Sequence, residues 1–103
     1  MSTKAPTITS KGDGRWLYPA PGTAIHAAWA DAWDRLASAG PEYLDGPALA
    51  MDVAEAHGLH PDTIKNLLNS ARNAGHLEHT YRKVEVPGRG PRTRTHYRIK
   101  AGA

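Results

Sequence analysis

The sequence of 103 residues contains no cysteine and no phenylalanine. Without cysteine the chain can form no disulfide, no thiolate nucleophile and no cysteine-ligated zinc finger. It also has no apolar run near the roughly 18 residues that a membrane-spanning helix needs. The N-terminal residues include Pro6, Asp13 and Gly14 where a secretory signal would carry an apolar segment. We therefore expect a cytoplasmic protein with no membrane association.

A recognisable catalytic set is missing as well. No nucleophile, base and acid group together, and no glycine-rich loop lies between a strand and a helix to hold phosphate. Two histidine pairs, His57-x-x-His60 and His76-x-x-His79, offer imidazoles that could bind Zn²⁺ or Ni²⁺. A predicted helix separates the pairs, and structural zinc needs four converging ligands. We expect no enzyme, no cofactor and no metal site.

Acidic residues are scarce at the C-terminal end. Residues 80–103 hold seven arginines and lysines against Glu85 alone, a net charge of +6, whereas residues 21–58 carry a net charge of −5. The net charge of +3 for the whole chain hides this asymmetry. A basic C-terminal segment is either a solubilising tail or a phosphate-binding surface. Balanced charges would serve solubility equally well, so the imbalance favours a nucleic-acid partner.

The chain length fits one domain. Residues 1–22 are rich in Ser, Thr, Lys, Gly and Pro and show no helical period, which predicts a flexible basic arm. Within this arm, the apolar patch Trp16-Leu17-Tyr18 is expected to dock on the domain or on a second copy. Residues 23–100 are expected to form the folded domain, and residues 101–103 a short tail.

Apolar periodicity predicts a first helix that begins after Thr23, a good N-cap, and ends at Gly40-Pro41. Its apolar face consists of Ile25, Ala28, Trp29, Ala32, Trp33 and Leu36. The two tryptophans indicate a core position, with a dimer interface as the alternative.

Two further helices are predicted around a sharp turn. Asp45 can cap the second helix, which ends at His57-Gly58, and His60 occupies the N-cap position of the third, which ends at Gly75. Their inner faces are formed by Leu49, Val53 and Ala54 in the second helix and by Ile64, Leu67, Leu68 and Ala71 in the third. Tyr43-Leu44 is at most a short strand. Two helices joined by a three-residue turn that contains glycine are typical of a helix-turn-helix.

After Gly75 the pattern changes to that of a β-hairpin. Residues 76–86 suit an extended strand, in which the alternation shifts between Tyr81 and Val84; this leaves a bulge or a two-faced strand open. Residues 87–91 must turn. Residues 92–99 alternate a β-forming, partly apolar face with a basic one. The pattern predicts a hairpin with a positive face and an arginine at its glycine-rich tip.

The order of helix, short strand, helix, glycine turn, helix and hairpin resembles the winged helix-turn-helix superfamily of bacterial and phage DNA-binding proteins. The segments that carry the resemblance are residues 54–64, 74–77, 88–90 and 97–99. The resemblance covers about residues 23–100. It implies an α+β, mostly helical fold of three helices followed by a C-terminal β-hairpin wing.

The resemblance also implies double-stranded DNA as the partner, with the third helix in the major groove and the wing on the backbone or in a minor groove. The residues expected to contact DNA are Thr63, Lys65, Asn66, Asn69 and Arg72 of the third helix and Arg82, Lys83, Arg89, Arg92 and Arg94 of the wing. Asp62 departs from the pattern, because its carboxylate near the helix start would repel phosphate. Either it accepts a hydrogen bond from a cytosine amino group or the helix does not insert as the resemblance implies.

The expected function is that of a small transcriptional regulator, such as a repressor, in a bacterium or phage, associated with the nucleoid. We expect a homodimer through the first helix and the arm, and no small-molecule ligand. The alternatives are an architectural or replication accessory protein and a winged helix that binds another protein.

Overall fold

A computed structural model of the chain describes residues 8–9, 17–18 and 23–100. Two short strands, β1 (Ile8–Thr9) and β2 (Leu17–Tyr18), pair in antiparallel orientation within the segment predicted as an arm. The rest of that segment, including Trp16, and the tail at 101–103 lie outside the described residues. No helix among the described residues is long and apolar enough to cross a membrane.

Three helices follow: α1 (Ala24–Ala39), α2 (Gly46–His57) and α3 (Pro61–Asn73). Each begins at its predicted N-cap, whose side chain accepts a backbone N–H of the first turn at 3.0–3.1 Å; the caps are Thr23, Asp45 and His60. Gly58 adopts the left-handed conformation, with φ of +67°, and so allows the sharp turn between α2 and α3. The second and third helices and the turn at Gly58 are therefore confirmed, although α3 ends at Asn73, two residues before the predicted Gly75.

The apolar faces of the three helices meet in one core. Trp29 and Trp33 are 1% and 3% exposed, and their ring centroids lie 5.9 Å apart. The inner faces predicted for α2 and α3 are buried as well. The core interpretation of the two tryptophans is therefore confirmed, and a dimer interface formed by these two side chains is wrong.

An ion-paired cluster fastens α1 to the end of α2. Asp31 accepts hydrogen bonds from Arg35 Nε at 3.0 Å, and His57 Nε2 lies 2.9 Å from its other oxygen. Burial acts to raise the pKa of Asp31, but the hydrogen bonds from Arg35 and His57 outweigh it and lower that pKa. His57 is thus held against α1, while His60 caps α3. No group of three or more histidine or acidic side chains among the described residues could hold a metal ion.

The strands of the domain form one antiparallel sheet of three: β3 (Leu44–Asp45), β4 (Leu77–Val86) and β5 (Gly90–Ile99), in the order β3-β5-β4. The hairpin of β4 and β5 matches the prediction. The short strand is Leu44–Asp45 instead of Tyr43-Leu44, and it pairs with β5, so the sheet has one strand more than the predicted wing. Sequence pattern did not reveal this pairing, because a two-residue strand carries no alternation of its own.

The register of the hairpin is unbroken from Leu77 opposite Ile99 to Val86 opposite Gly90. A bulge would place two residues opposite one. Of the two alternatives for residues 81–84, a bulge is therefore wrong and a two-faced strand is confirmed. Odd-numbered residues of both strands share one side of the sheet, and even-numbered residues share the other. Because Leu77, Tyr97 and Ile99 pack into the helical core, we call the odd-numbered side the helix side.

The start of α2 approaches β5 closely at a glycine. A Cβ atom on Gly46 would lie 2.7 Å from the carbonyl oxygen of Thr95 and 2.7 Å from the ring of Tyr97. Only a residue without a side chain fits there without displacement of its neighbours. This contact sets how near the helix-turn-helix unit lies to the hairpin. The domain is therefore an α+β unit in which three helices pack against a three-stranded antiparallel sheet.

Candidate nucleic-acid interface

The outer face of α3 is polar because its apolar residues repeat at helical spacing and are all turned inward. Ile64, Leu67, Leu68 and Ala71 are buried, which leaves Lys65, Asn66 and Asn69 exposed on the opposite face. Thr63 and Arg72 are half-buried at its edges. This face offers amide and ammonium groups that donate hydrogen bonds.

Asp62, the acidic residue that departs from the family pattern, lies in the first turn of α3. Its carboxylate is 3.9 Å from Lys65 Nζ and 3.7 Å from His60 Nδ1, and it is 69% exposed. A carboxylate is favourable at this position because the helix N-terminus carries partial positive charge. Asp62 therefore has a structural role at the helix start and partly offsets the charge of Lys65.

A cleft of about 320 Å³ joins this helical face to the hairpin. It is lined by Gly46, Pro47, Lys65, Asn66, Leu68, Asn69, Thr95 and Tyr97. The start of α2 forms one wall, α3 the second and β5 the third. The cleft thus brings three of the predicted DNA-contacting residues together with a part of the hairpin that was not predicted to contribute.

The helix side of the hairpin continues outward from this cleft. Tyr81 lies opposite Thr95, and Lys83 lies opposite Thr93. Burial raises the pKa of the Tyr97 phenol, on which Arg72 of α3 and Tyr81 of β4 also act electrostatically. Helix α3 contacts β4 and shares the cleft with β5, so the three elements meet near Tyr97.

The other side of the hairpin, which we call the arginine side, carries Arg82, Arg92, Arg94 and Arg98. Arg94 forms an ion pair of 3.3 Å with Asp45, the N-cap of α2, and Arg98 forms one of 2.7 Å with Glu78. The hydrogen bond to Glu78 also raises the pKa of Arg98 further. The guanidinium groups of Arg98 and Arg82 lie 4.4 and 5.4 Å from the ring centre of Tyr43. Most of the charge on this side is therefore engaged within the domain.

The structure thus divides the predicted site residues among four places. Lys65, Asn66 and Asn69 line the cleft, with Thr63 and Arg72 at the edges of the same helix. Lys83 lies on the helix side of the hairpin, and Arg89 lies in the turn at its tip. Arg82, Arg92 and Arg94 lie on the opposite side. Sequence reasoning grouped five basic hairpin residues as one DNA-contacting set, because the alternation gave the faces of β5 but not how β4 aligns with them.

Thr95 and Tyr81 belong to the candidate interface but were missed. The alternation in residues 92–99 already assigned Thr95 to the face of Tyr97, and Tyr97 is a core residue. That signal was sufficient to place Thr95 on the side that the helices cover. For Tyr81 the cross-strand register was needed, because the alternation of β4 shifts after this residue.

Comparisons of the chain with protein-family models, with curated proteins and with solved structures find no match. The described residues form an α+β domain of three helices followed by a three-stranded antiparallel sheet.

Proposed function

We propose that this chain is a winged helix-turn-helix protein that binds double-stranded DNA and acts as a small transcriptional regulator. One observation carries the proposal: the exposed face of α3, with Lys65, Asn66 and Asn69, opens into the same cleft as β5 of a basic hairpin. A reading helix and a wing have to present one continuous surface to a duplex, and this cleft joins the two.

The dimensions and donors of α3 suit the major groove. That groove is about 12 Å wide and accepts an α-helix with its side chains. The amides of Asn66 and Asn69 form paired hydrogen bonds with adenine, and Lys65 donates to guanine or to a phosphate. Arg72, further along the helix, contacts a phosphate. The middle of α3 therefore contacts base edges, while the phosphate contact of Arg72 fixes the position of the helix in the groove.

The hairpin supplies most of the electrostatic attraction. Its basic residues lie in the segment of net charge +6, while the acidic residues concentrate in α1, α2 and the loop between them. A duplex is drawn to the hairpin end of the molecule and repelled from the α1–α2 end. Arg89 at the tip contacts the backbone or the minor groove beside the site of α3.

The proposal is tested by the salt dependence of binding to a duplex of random sequence, followed by fluorescence anisotropy. Four to six phosphate contacts predict a slope of roughly −4 to −6 in a plot of log affinity against log salt, at about −0.9 per contact. A chain that binds no duplex at low salt, or whose affinity does not change with salt, would contradict DNA binding. A protein of similar size and net charge without a helix-turn-helix serves as the control for nonspecific attraction.

A further inference from the structure

The two sides of the hairpin differ in how their charged and aromatic groups are used. Arg82 and Lys83 are neighbours in β4, both are exposed and both carry one positive charge, yet they point to opposite sides of the sheet. The contacts around each side indicate which of them is available to a ligand.

On the arginine side, three of the four guanidinium groups have partners within the domain. Arg94 contacts the Asp45 carboxylate, whose other oxygen accepts the N–H of Ala48 in the first turn of α2. Arg98 contacts Glu78 and donates to the carbonyl of Pro41 at 3.1 Å. Arg82 lies over the ring of Tyr43. These contacts connect the hairpin to the start of α2 and to the loop before it, and each would have to break or weaken before the arginine bound a phosphate.

On the helix side, the exposed side chains of β4 form no ion pair with any described residue; they are His79, Tyr81, Lys83 and Glu85. Tyr81 is 61% exposed, one of two large apolar side chains so exposed in the part of the chain that the structure describes. The ring of His79 meets it edge-on, with ring centroids 5.5 Å apart. Lys83 makes no ion pair with any described residue. Thr95, opposite Tyr81, lines the cleft beside α3, so this surface is continuous with the reading helix.

We propose that duplex DNA contacts the hairpin through its helix side, where Tyr81 packs on the sugar-phosphate backbone and Lys83 binds a phosphate. The arginine side instead stabilises the position of the hairpin relative to α2, through the ion pair of Arg94 with Asp45. This inference rests on the proposed function and names the surface that carries it. An exposed aromatic ring beside a lysine fits a nucleic-acid backbone, because the ring contacts the apolar sugar while the ammonium group neutralises the charge.

The neighbouring pair Lys83 and Arg82 provides the first test. Lys83→Ala and Arg82→Ala remove the same charge from adjacent positions, so their effect on the overall field is matched. We expect Lys83→Ala to reduce the salt slope of duplex binding by about 0.9, the value for one phosphate contact. Arg82→Ala should leave the slope unchanged. The duplex is the random-sequence one used for the wild-type chain.

Tyr81 provides an independent test, because an aromatic contact releases no counterion. Tyr81→Ala should weaken duplex binding at least about five-fold without a change in salt slope, as expected for loss of about 1 kcal/mol of aromatic contact. Tyr81→Phe keeps the ring and should bind like the wild-type chain. Far-UV circular dichroism of every variant, all changed at exposed positions, confirms that the fold is retained.

Two results would overturn the inference. In the first, Arg82→Ala and Arg92→Ala make the salt slope less steep while Lys83→Ala leaves it unchanged. In the second, Lys83→Ala and Arg82→Ala make the salt slope less steep by the same amount. In both cases the wild-type slope stays steep, and DNA binding itself still stands. A flat salt response of the wild-type chain instead removes the proposed function, so the two failures are distinguishable.

Discussion

At the scale of the residue, Gly46 is the position where a single methyl group would matter most. It is buried at the first position of α2, and a Cβ added there would meet the Thr95 carbonyl and the Tyr97 ring. The neighbouring backbone cannot rotate away as a flexible side chain would. The position of α2 against β5 therefore depends on the absence of a side chain.

We expect Gly46→Ala to lower the free energy of unfolding by about 1–3 kcal/mol, the usual cost of an extra methyl group in a packed contact. Chemical denaturation monitored by circular dichroism measures this change. Alanine's higher helix propensity acts in the opposite direction but amounts to about 1 kcal/mol at most. An unchanged or raised unfolding free energy would show that α2 can move away from β5 at no cost.

At the scale of the element, α3 combines a fully apolar inner face with an outer face of amides and one lysine. Burial of the inner face fixes the orientation of α3 in the core, and the outer face is therefore exposed to solvent. The outer face borders the hairpin at two places: Asn66 and Asn69 line the cleft beside β5, whereas Asn73 lines a second groove together with Arg72 and the start of β4. We therefore expect the asparagines that line the cleft to contact bases, and Asn73 not to contact them.

We expect Asn66→Ala and Asn69→Ala each to cost about 1–3 kcal/mol on the preferred DNA site and little on random DNA, because they remove base contacts. The preferred site is first selected from a random library, and affinities are then measured on both duplexes. Asn73→Ala, the same change on the same helix outside the cleft, is the matched control: Asn73 accepts a hydrogen bond from Arg72 at 3.4 Å, so its loss should affect both duplexes alike and leave the preference for the selected site unchanged. Arg89→Ala should weaken binding to both duplexes alike, since phosphate contacts carry no sequence information.

If neither asparagine variant changes affinity on any duplex, α3 does not read bases. The hairpin would then be the main contact, and the proposed regulator would bind DNA without sequence preference.

For the whole molecule, the question is whether one copy of the domain is enough for sequence-specific DNA recognition. A lone module of this size buries roughly 600–1,000 Å² of protein surface on DNA, the low end for specific recognition. Two copies related by two-fold symmetry would double the contacts on a palindrome. The burial of Trp29 and Trp33 removes these side chains from any dimer interface. What remains for pairing is the exposed surface of α1 and the N-terminal segment.

We predict that the chain forms a homodimer at least when bound to a duplex, with half-sites about 10 base pairs apart or a multiple of that spacing. Analytical ultracentrifugation of the free chain and of the complex measures the stoichiometry. Deletion of residues 1–18 should loosen the dimer and leave the helical circular-dichroism signal largely intact. One copy per duplex, with a monomeric free chain, would contradict the prediction.

Local sequence determined the elements of this protein. N-cap side chains, the glycine at the α2–α3 turn and apolar residues at helical spacing act within one or two turns of chain, so the three helices, their inner faces and the hairpin could be predicted. The exposed face of α3 followed from the same period. Those parts of the candidate site that lie on one element were therefore correctly placed.

The relative positions and orientations of the elements could be read from the tertiary structure alone. The ion pair between Arg94 and Asp45 joins residues 49 positions apart, and β3 pairs with β5 across α2 and α3. Such contacts depend on cross-strand register and on how closely Gly46 lets α2 approach, and neither appears in a local pattern. For this reason the alternation of residues 92–99 could predict a basic face of β5, but only the fold showed that Arg82 shares this face, that Lys83 lies on the other one, and that Arg94 and Arg98 form ion pairs within the domain.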